Sequence, residues 1–318
     1  MPGIPLRSMA SQSEAGGLLC REVSHVRNPF SEIRGKCRYL QAHPAFRRSR
    51  LRTLYRLFRW RLQCALGIPT TVHLPLWDAR FYLPPRWHGA GTTMFYALRE
   101  SYEKELAHLH RFILPGMVVI DGGANCGIYT ILAAKLVGPS GMVLSFEPGI
   151  EAFSVLEKNV RLNRLQNVHA YHAALSDKEG TVSLYHHEDA PNSYSLGAPD
   201  TADVSFEEVT TRTLSHVVPE DFAQRVGLIK LDVEGAEELV VRGALPIITR
   251  SRPTIIFEEN GASAKRLRLS PTGCRTLLGD LGYRFFSLTD QGELRELDQP
   301  RVANDINNIV AIHGRRRT

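Results

Sequence analysis

The sequence predicts an α/β fold: a mainly parallel, seven-stranded sheet with helices on both faces, preceded by a basic N-terminal extension. Three observations predict it. From Met117 onward, short apolar runs alternate with segments of helical period, the pattern of successive strand–helix units. One run, Leu228–Leu231, is apolar except for Lys230, as suits a strand covered on both faces. Three of the runs end in acidic or glycine-rich turns, IDGGANCG, FEP and LDVEG.

In chain order, residues 1–30 are rich in Ser, Gly, Pro and Arg with weak periodicity, and are expected to be disordered or loosely attached. Arg47–Gln63 reads RRSRLRTLYRLFRWRLQ. Leu51, Leu54, Tyr55, Phe58 and Leu62 recur at helical spacing, with seven arginines on the other faces. Two readings are open: a helix whose stripe packs on the catalytic domain with its arginines in water, or one lying on an anionic membrane surface. The first is the expectation. Residues 67–91 hold four prolines and three glycines among short apolar stretches, which reads as a linker with a hairpin. A helix is expected from Thr93 to Phe112, stopped by Pro115-Gly116.

Strands then follow at Met117–Ile120, Met142–Phe146, Val168–His172, Leu228–Leu231, Thr254–Phe257, Tyr283–Leu288 and Ile306–Ile312. Helices cover Ile128–Val137, Glu151–Leu162, the stretch from Ala236, and Pro271–Leu281. Thr181–Tyr185 and Val209–Thr213 look like extra strands flanking a polar loop. The chain of 318 residues exceeds the usual ~100–200 of one domain, so we divide it into an extension, 1–92, and a domain, 93–318.

The net charge of +6 is uneven: through Cys64 there are 13 Lys/Arg against 3 Asp/Glu, leaving the remainder mildly acidic. A catalytic domain that grips nucleic acid is more often basic itself. The five cysteines are scattered without a CxxC pair, which speaks for a reducing compartment and against a disulfide framework or zinc site. No run approaches the ~20 apolar residues of a membrane span and no leader pattern is visible, so a cytoplasmic location is expected. The histidines, His108, His110, His172, His186 and His187, show no metal-ligand spacing; His186 or His187, in a polar loop, could serve as a base, but the expectation is solvated loop residues.

Chemistry concentrates at the strand ends. In VVIDGGANCGIYT, a buried strand ends at Asp121, and Gly122, Gly123, Ala124 and Gly127 turn the chain into a helix. Small residues let a ligand approach the backbone, and the helix start offers unpaired N–H groups. A dinucleotide turn seats pyrophosphate on G-x-G-x-x-G; here Ala124 replaces the middle glycine and an acid leads the turn. That suits a ligand bearing an amino group and a sulfonium, S-adenosylmethionine, better than a phosphate. Glu147, followed by Pro148, stands 26 positions after Asp121, where a carboxylate accepts from ribose hydroxyls. In LIKLDVEGAE, Asp232 and Glu234 end another buried strand, where they can bind a metal, act as a general base or hold the ligand's amino group. Glu237 reads as a favourable acid at a helix start.

With these motifs in order, the sequence resembles the FkbM-type methyltransferases from about residue 100 to 313. The resemblance runs through YEKELAHLHRFILPGMVVIDGGANCGIYT, Glu147-Pro148, HAALSDKEG, the Lys230–Asp232–Val233–Glu234–Gly235 signature, and the segment ending at Glu258. Ser215 departs from the pattern, which often has aspartate after threonine-leucine. The resemblance implies a Rossmann-like class I methyltransferase fold. It also implies S-adenosylmethionine held by Asp121, Gly123, Asn125 and Glu147, with Ser176 and Asp177 near the adenine. The acceptor it implies is a hydroxyl of a sugar, lipid or secondary metabolite, with Asp232 or Glu234 as the base. The rival readings are a nucleic-acid methyltransferase using the basic segment, a nicotinamide-dependent oxidoreductase, and a binding module without turnover. Peripheral membrane contact through the basic helix is a further possible partnership, and the oligomeric state is open.

Overall fold

A computed structural model of the chain describes residues 40–41, 43–187, 190–197, 205–297 and 307–314. Contacts divide the chain at Ala42, and the expected disorder over residues 1–30 lies outside the described residues. The elements of the second unit are, in order, α1 (Pro44–Arg48) and α2 (Arg50–Ala65), then strands β1 (Thr70–Leu74) and β2 (Ala79–Leu83). Helices α3 (Ala90–Leu98) and α4 (Lys104–Ala107) lead into β3 (Val118–Gly122), α5 (Ile128–Val137), β4 (Met142–Phe146), α6 (Ile150–Leu162) and β5 (Val168–Tyr171). Four short strands follow, β6 (Ala174–Leu175), β7 (Gly180–His187), β8 (Ala190–Ser195) and β9 (Ser205–Arg212). After α7 (Leu214–Val217) and α8 (Glu220–Ala223) come β10 (Val226–Leu231), α9 (Glu237–Gly243), α10 (Leu245–Ser251), β11 (Thr254–Glu259), α11 (Gly261–Arg266) and α12 (Gly273–Asp280). Strands β12 (Tyr283–Leu288), β13 (Leu294–Glu296) and β14 (Asn307–His313) end the unit.

The main sheet has the order β13-β12-β14-β11-β10-β3-β4-β5. It has eight strands, where seven were expected. The five from β5 to β11 are parallel, while β14, β12 and β13 pair antiparallel. The eighth strand, Leu294–Glu296, has only three residues, too few to show a period in sequence. Every residue of β3 and β10 is buried, as central strands between two helical layers must be. The chain leaves β3 toward β4 on one side and returns to pair β10 on the other. The ends of β3 and β10 therefore flank the point where strand order reverses, the usual place for a ligand in such sheets.

A second sheet, β6-β9-β7-β8, contains the two extra strands read from sequence; β7 and β9 pair antiparallel from Gly180↔Thr211 to His186↔Ser205. Its small core is Ala174, Leu184 and Val209, with Tyr194 and Leu196 packed against it.

The N-terminal half-elements are part of the domain. The hairpin β1–β2 alternates along each strand, so Val72, Leu74, Ala79, Phe81 and Leu83 share one buried face. That face joins Ile131, Leu132 and Val155 of α5 and α6 in one core. The boundary expected at residue 92 thus falls inside the core, because a strand pair with one apolar face has to bury it. Asn159 of α6 is the clasp: its side chain accepts from the Tyr82 N–H at 2.6 Å and donates to the carbonyls of Tyr82 and Cys126 at 3.3 and 2.9 Å. Fully buried, it leaves three backbone groups unpaired if truncated. Asn159→Ala is expected to cost about 2–4 kcal/mol, read as a lower thermal midpoint; a midpoint within a degree of wild type would mean the hairpin is held elsewhere.

Two expectations about helices fail. The helix expected from Thr93 to Phe112 is broken: Arg99 has φ 60 and the chain passes through two 3-10 turns around α4. The left-handed residue cannot continue a right-handed helix, and it re-aims Tyr102 and Glu103. The stripe of α2 does not pack on the domain. Leu51, Tyr55 and Phe58 are exposed, and the buried face carries Thr53 and Trp60 instead. Trp60 donates to Thr93 Oγ1 at 3.1 Å and stacks on Tyr96 at 4.9 Å. One indole buries enough area, with its N–H satisfied, to decide which side faces the protein.

Candidate active site

The β3 strand delivers Asp121 to the sheet's carboxyl edge, and the turn after it is built by close backbone approach. Gly123 has φ 77, and a Cβ there would stand 1.9 Å from the Asp232 carbonyl oxygen. The N–H groups of Gly123 and Ala124 both reach the Phe146 carbonyl, at 2.9 and 3.0 Å, and the Asp232 N–H donates to the Gly122 carbonyl at 2.9 Å. Asn125 follows at φ 48, and Gly127, at φ 85, opens α5. Three strand ends, β3, β4 and β10, are thereby laced together by the same five residues.

Glu147, just past β4, is fixed by that turn. Its Oε2 accepts from the Asn125 N–H at 2.7 Å and its Oε1 from the Gly149 N–H at 2.9 Å. Burial nevertheless pushes its carboxyl up to about 7, with Asp121 and Asp232 adding to the rise and the two N–H groups opposing it. Asp121 accepts from Thr130 Oγ1 at 2.5 Å, and Thr130 also meets Ser145 at 2.8 Å. Burial raises Asp121 to about 6, against the Thr130 bond and the Lys230 charge.

Lys230 is a buried cation among acids. Its Nζ lies 3.5 Å from Asp232 Oδ2 and 5.1 Å from the Tyr129 ring centre. Burial works against its charge, but Asp232, Glu103, Asp121 and Glu258 together hold its pKa above the ordinary lysine value. Tyr129 donates to Glu103 Oε2 at 2.5 Å. Glu234 takes φ 53, a conformation costly for a side chain with a Cβ, and burial, then Asp232 and Glu237, push its carboxyl up to about 7. Glu258, at the end of β11, is pushed well above the usual carboxylate range by burial and by Asp232 and Glu234. Glu237 stands at the start of α9, as expected, and accepts from the preceding Val233 and Gly235 N–H groups at 3.2 and 3.3 Å.

These groups surround a cavity of about 470 Å³ lined by Gly123, Asn125, Glu147, Pro148, Asp232, Glu234 and Glu258, among others. A smaller one of about 130 Å³ shares Gly123, Asn125 and Asp232 with it and reaches Asp121, Ala124 and Lys230. Of the residues expected from sequence, Gly122 and Gly127 shape the turn without facing either space. Ser176 and Asp177 are also displaced: the Ser176 N–H bonds the Arg212 carbonyl at 2.9 Å and its hydroxyl meets Asp177 at 3.3 Å. The wall at that place is Ala173, Ala174 and Leu175, because β6 joins the second sheet and carries Ser176 past the cavity. The departing Ser215 donates to the Gly243 carbonyl at 2.7 Å, a purely structural bond.

Sequence reasoning missed Tyr102, Glu103, Gly89 and Gly91 on one wall and Leu184, Tyr194 and Leu196 on the other. The helix break at Arg99 aims Tyr102 and Glu103, and the second sheet brings Leu184, Tyr194 and Leu196; neither leaves a periodic signal. The Tyr-Glu pair within the motif YEKELAHLH was the available clue.

The family model described as "Methyltransferase FkbM domain" matches residues 121–285. The chain is similar to the 31-O-demethyl-FK506 methyltransferase FkbM of Streptomyces tacrolimicus, 31% identical over 157 residues, covering 41% of this chain and 60% of that protein. It is also similar to Methyltransferase 1 of Beauveria bassiana (strain ARSEF 2860), 29% identical over 143 residues, covering 39% of this chain and 57% of that protein. The matches to these curated relatives thus cover less than two thirds of each relative's length. Among solved structures, the methyltransferase FkbM from Methylobacillus flagellatus KT aligns with TM-score 0.41 and 13% identity, over 70% of this chain and 53% of that one.

Proposed function

Because the chain belongs to the FkbM methyltransferase family, whose cofactor is S-adenosylmethionine, we propose that it methylates a hydroxyl of a sugar, lipid or secondary metabolite. The observation that carries the reading is Glu147: a buried carboxylate at a strand end, its two oxygens oriented by backbone N–H groups, on the wall of a cavity large enough for a nucleoside. Each oxygen keeps a lone pair for a ribose hydroxyl.

The donor set fits the cofactor. Among the described residues the larger cavity is lined by Glu103, Glu147, Asp232, Glu234 and Glu258 without a lysine or arginine, which opposes a pyrophosphate and suits a sulfonium and an ammonium. Glu147 and the Gly123–Asn125 turn would hold the adenosine, and Asp121 or Asp232 the amino group. When bound, the cofactor supplies an electrophilic methyl group on sulfur. The protein's own task is to align the acceptor oxygen and remove its proton. Glu234 suits the proton-accepting role better than Asp232, because its pKa of about 7 is matched to neutral pH, whereas Asp232 is paired with Lys230. Glu258, whose carboxyl is pushed upward by burial and by Asp232 and Glu234, lines the same cavity.

Calorimetric titration of the full chain with S-adenosylmethionine, S-adenosylhomocysteine and NAD tests the cofactor. Micromolar binding of the first two without the third is expected; preference for NAD overturns the reading. At saturating S-adenosylmethionine, turnover of an acceptor found by screening hydroxyl compounds is expected to rise with pH through about 7 as Glu234 loses its proton, then level. In Glu234→Gln the rise should vanish and the rate fall about 100-fold. An unchanged pH profile would remove Glu234 from that role.

A further inference from the structure

The outer face of α2 is apolar, rigidly held and rimmed with arginine. Leu51 is 86% exposed, Phe58 68%, Tyr55 63%, Leu54 49% and Leu62 48%. At about 100° per residue these five side chains form one continuous stripe. The opposite face is committed to the domain by Trp60 against Thr93 and Tyr96 and by Arg56, which donates to the Ala97 carbonyl at 3.0 Å. Turning the stripe inward would pull a fully buried tryptophan into water. Contiguous exposed apolar area of this kind marks an interaction surface.

Its edges say what it meets. Arg52 and Arg59 lie along one side of the stripe and Arg50 and Arg61 along the other, all exposed. No Asp or Glu occurs between Glu32 and Asp78. A second copy of this face would set arginine against arginine with no acid on the helix itself to receive it. A polynucleotide would engage the arginines and leave Leu51 and Phe58 in water. An apolar strip with cationic margins is complementary to a bilayer, whose acyl boundary takes the strip while headgroups receive long side chains that snorkel outward. We propose that α2 lies in the plane of an anionic membrane surface and docks the domain there, Leu51, Tyr55 and Phe58 inserted and Arg50, Arg52, Arg59 and Arg61 on anionic headgroups.

Flotation of the full chain with vesicles tests this. The protein is expected to float with an equimolar mixture of phosphatidylcholine and phosphatidylserine, and to stay behind with phosphatidylcholine alone. Leu54→Glu combined with Phe58→Glu should abolish flotation. Arg52→Gln combined with Arg59→Gln should lower partitioning about 25-fold, at about fivefold per arginine. Both variants change exposed side chains only, so their thermal midpoints should match wild type; the proposal is read on variants that pass this control. Absence of wild-type flotation, equal flotation with both vesicle types, or flotation untouched by the Leu54/Phe58 change would overturn it. So would self-association in sedimentation, or salt-sensitive RNA binding, in a protein that ignores vesicles.

Discussion

Glu147→Gln is expected to weaken S-adenosylmethionine binding by about 100-fold, through the loss of two charge-assisted hydrogen bonds at about 1.5–3 kcal/mol each, partly replaced by neutral ones. The amide is no neutral stand-in. Both carboxylate oxygens accept from backbone N–H groups, those of Asn125 and Gly149, so a glutamine must aim its NH₂ at one of these donors. The wild-type affinity should also depend on pH with a definite sign. Burial pushes the ligand-free carboxyl up to about 7, and ribose hydroxyls placed against it as proposed would select the ionised form. Binding therefore costs a deprotonation below that pH and weakens by up to about tenfold per unit, while above it the affinity is level. In the variant this slope should shrink, leaving what Asp121 contributes. Titration calorimetry at pH 5.5, 6.5 and 7.5 reads both effects; a tenfold loss or less, with the slope intact, would mean the hydroxyls are bound elsewhere.

Gly123→Ala is expected to cost about 3–5 kcal/mol, among the larger penalties for a single methyl group. Two causes add. The residue sits at φ 77, where a Cβ costs about 1–2 kcal/mol. The methyl would also lie 1.9 Å from the Asp232 carbonyl oxygen, and backbone cannot rotate aside, so the ends of β3 and β10 must part. Gly67→Ala separates the causes: that glycine follows α2 at φ 65 with nothing within 4 Å of its added Cβ, so it carries the conformational cost alone. Denaturant unfolding of both should show the Gly123 variant at least about 2 kcal/mol less stable than the Gly67 variant, by the clash alone. Equal losses would mean that the two strand ends are not in contact.

Much of this site was legible because its parts stand at strand ends. Buried parallel strands spell themselves as apolar runs, and the first polar residue after a run faces the ligand edge; Asp121, Glu147 and Asp232 were found that way. The same logic located five parallel strands to within a residue or two. What it missed has no period to read. Leu294–Glu296 is a strand only because Phe286–Leu288 offers it an edge. Tyr102 and Glu103 reach the cavity because one arginine, Arg99, adopts a left-handed conformation. Ser176 and Asp177 follow a motif faithfully yet are carried off the wall by a pairing, β6 with β9, between residues 37 apart in the chain. In α2 the period correctly announced an apolar stripe and said nothing of what covers it. Trp60, off the stripe, settled which face the domain holds.

One backbone angle has a bearing on how this protein can be altered. Glu234 occupies the left-handed region at φ 53, where glycine or asparagine would rest at lower energy, and it confines a carboxylate that water would hold better. Both strains disappear on replacement. A library screened for heat tolerance alone would therefore drift toward Gly or Asn at this position, gaining ruggedness while shedding the proposed proton acceptor. Resistance to unfolding and turnover pull apart there, and selection schemes for this scaffold should hold position 234 constant.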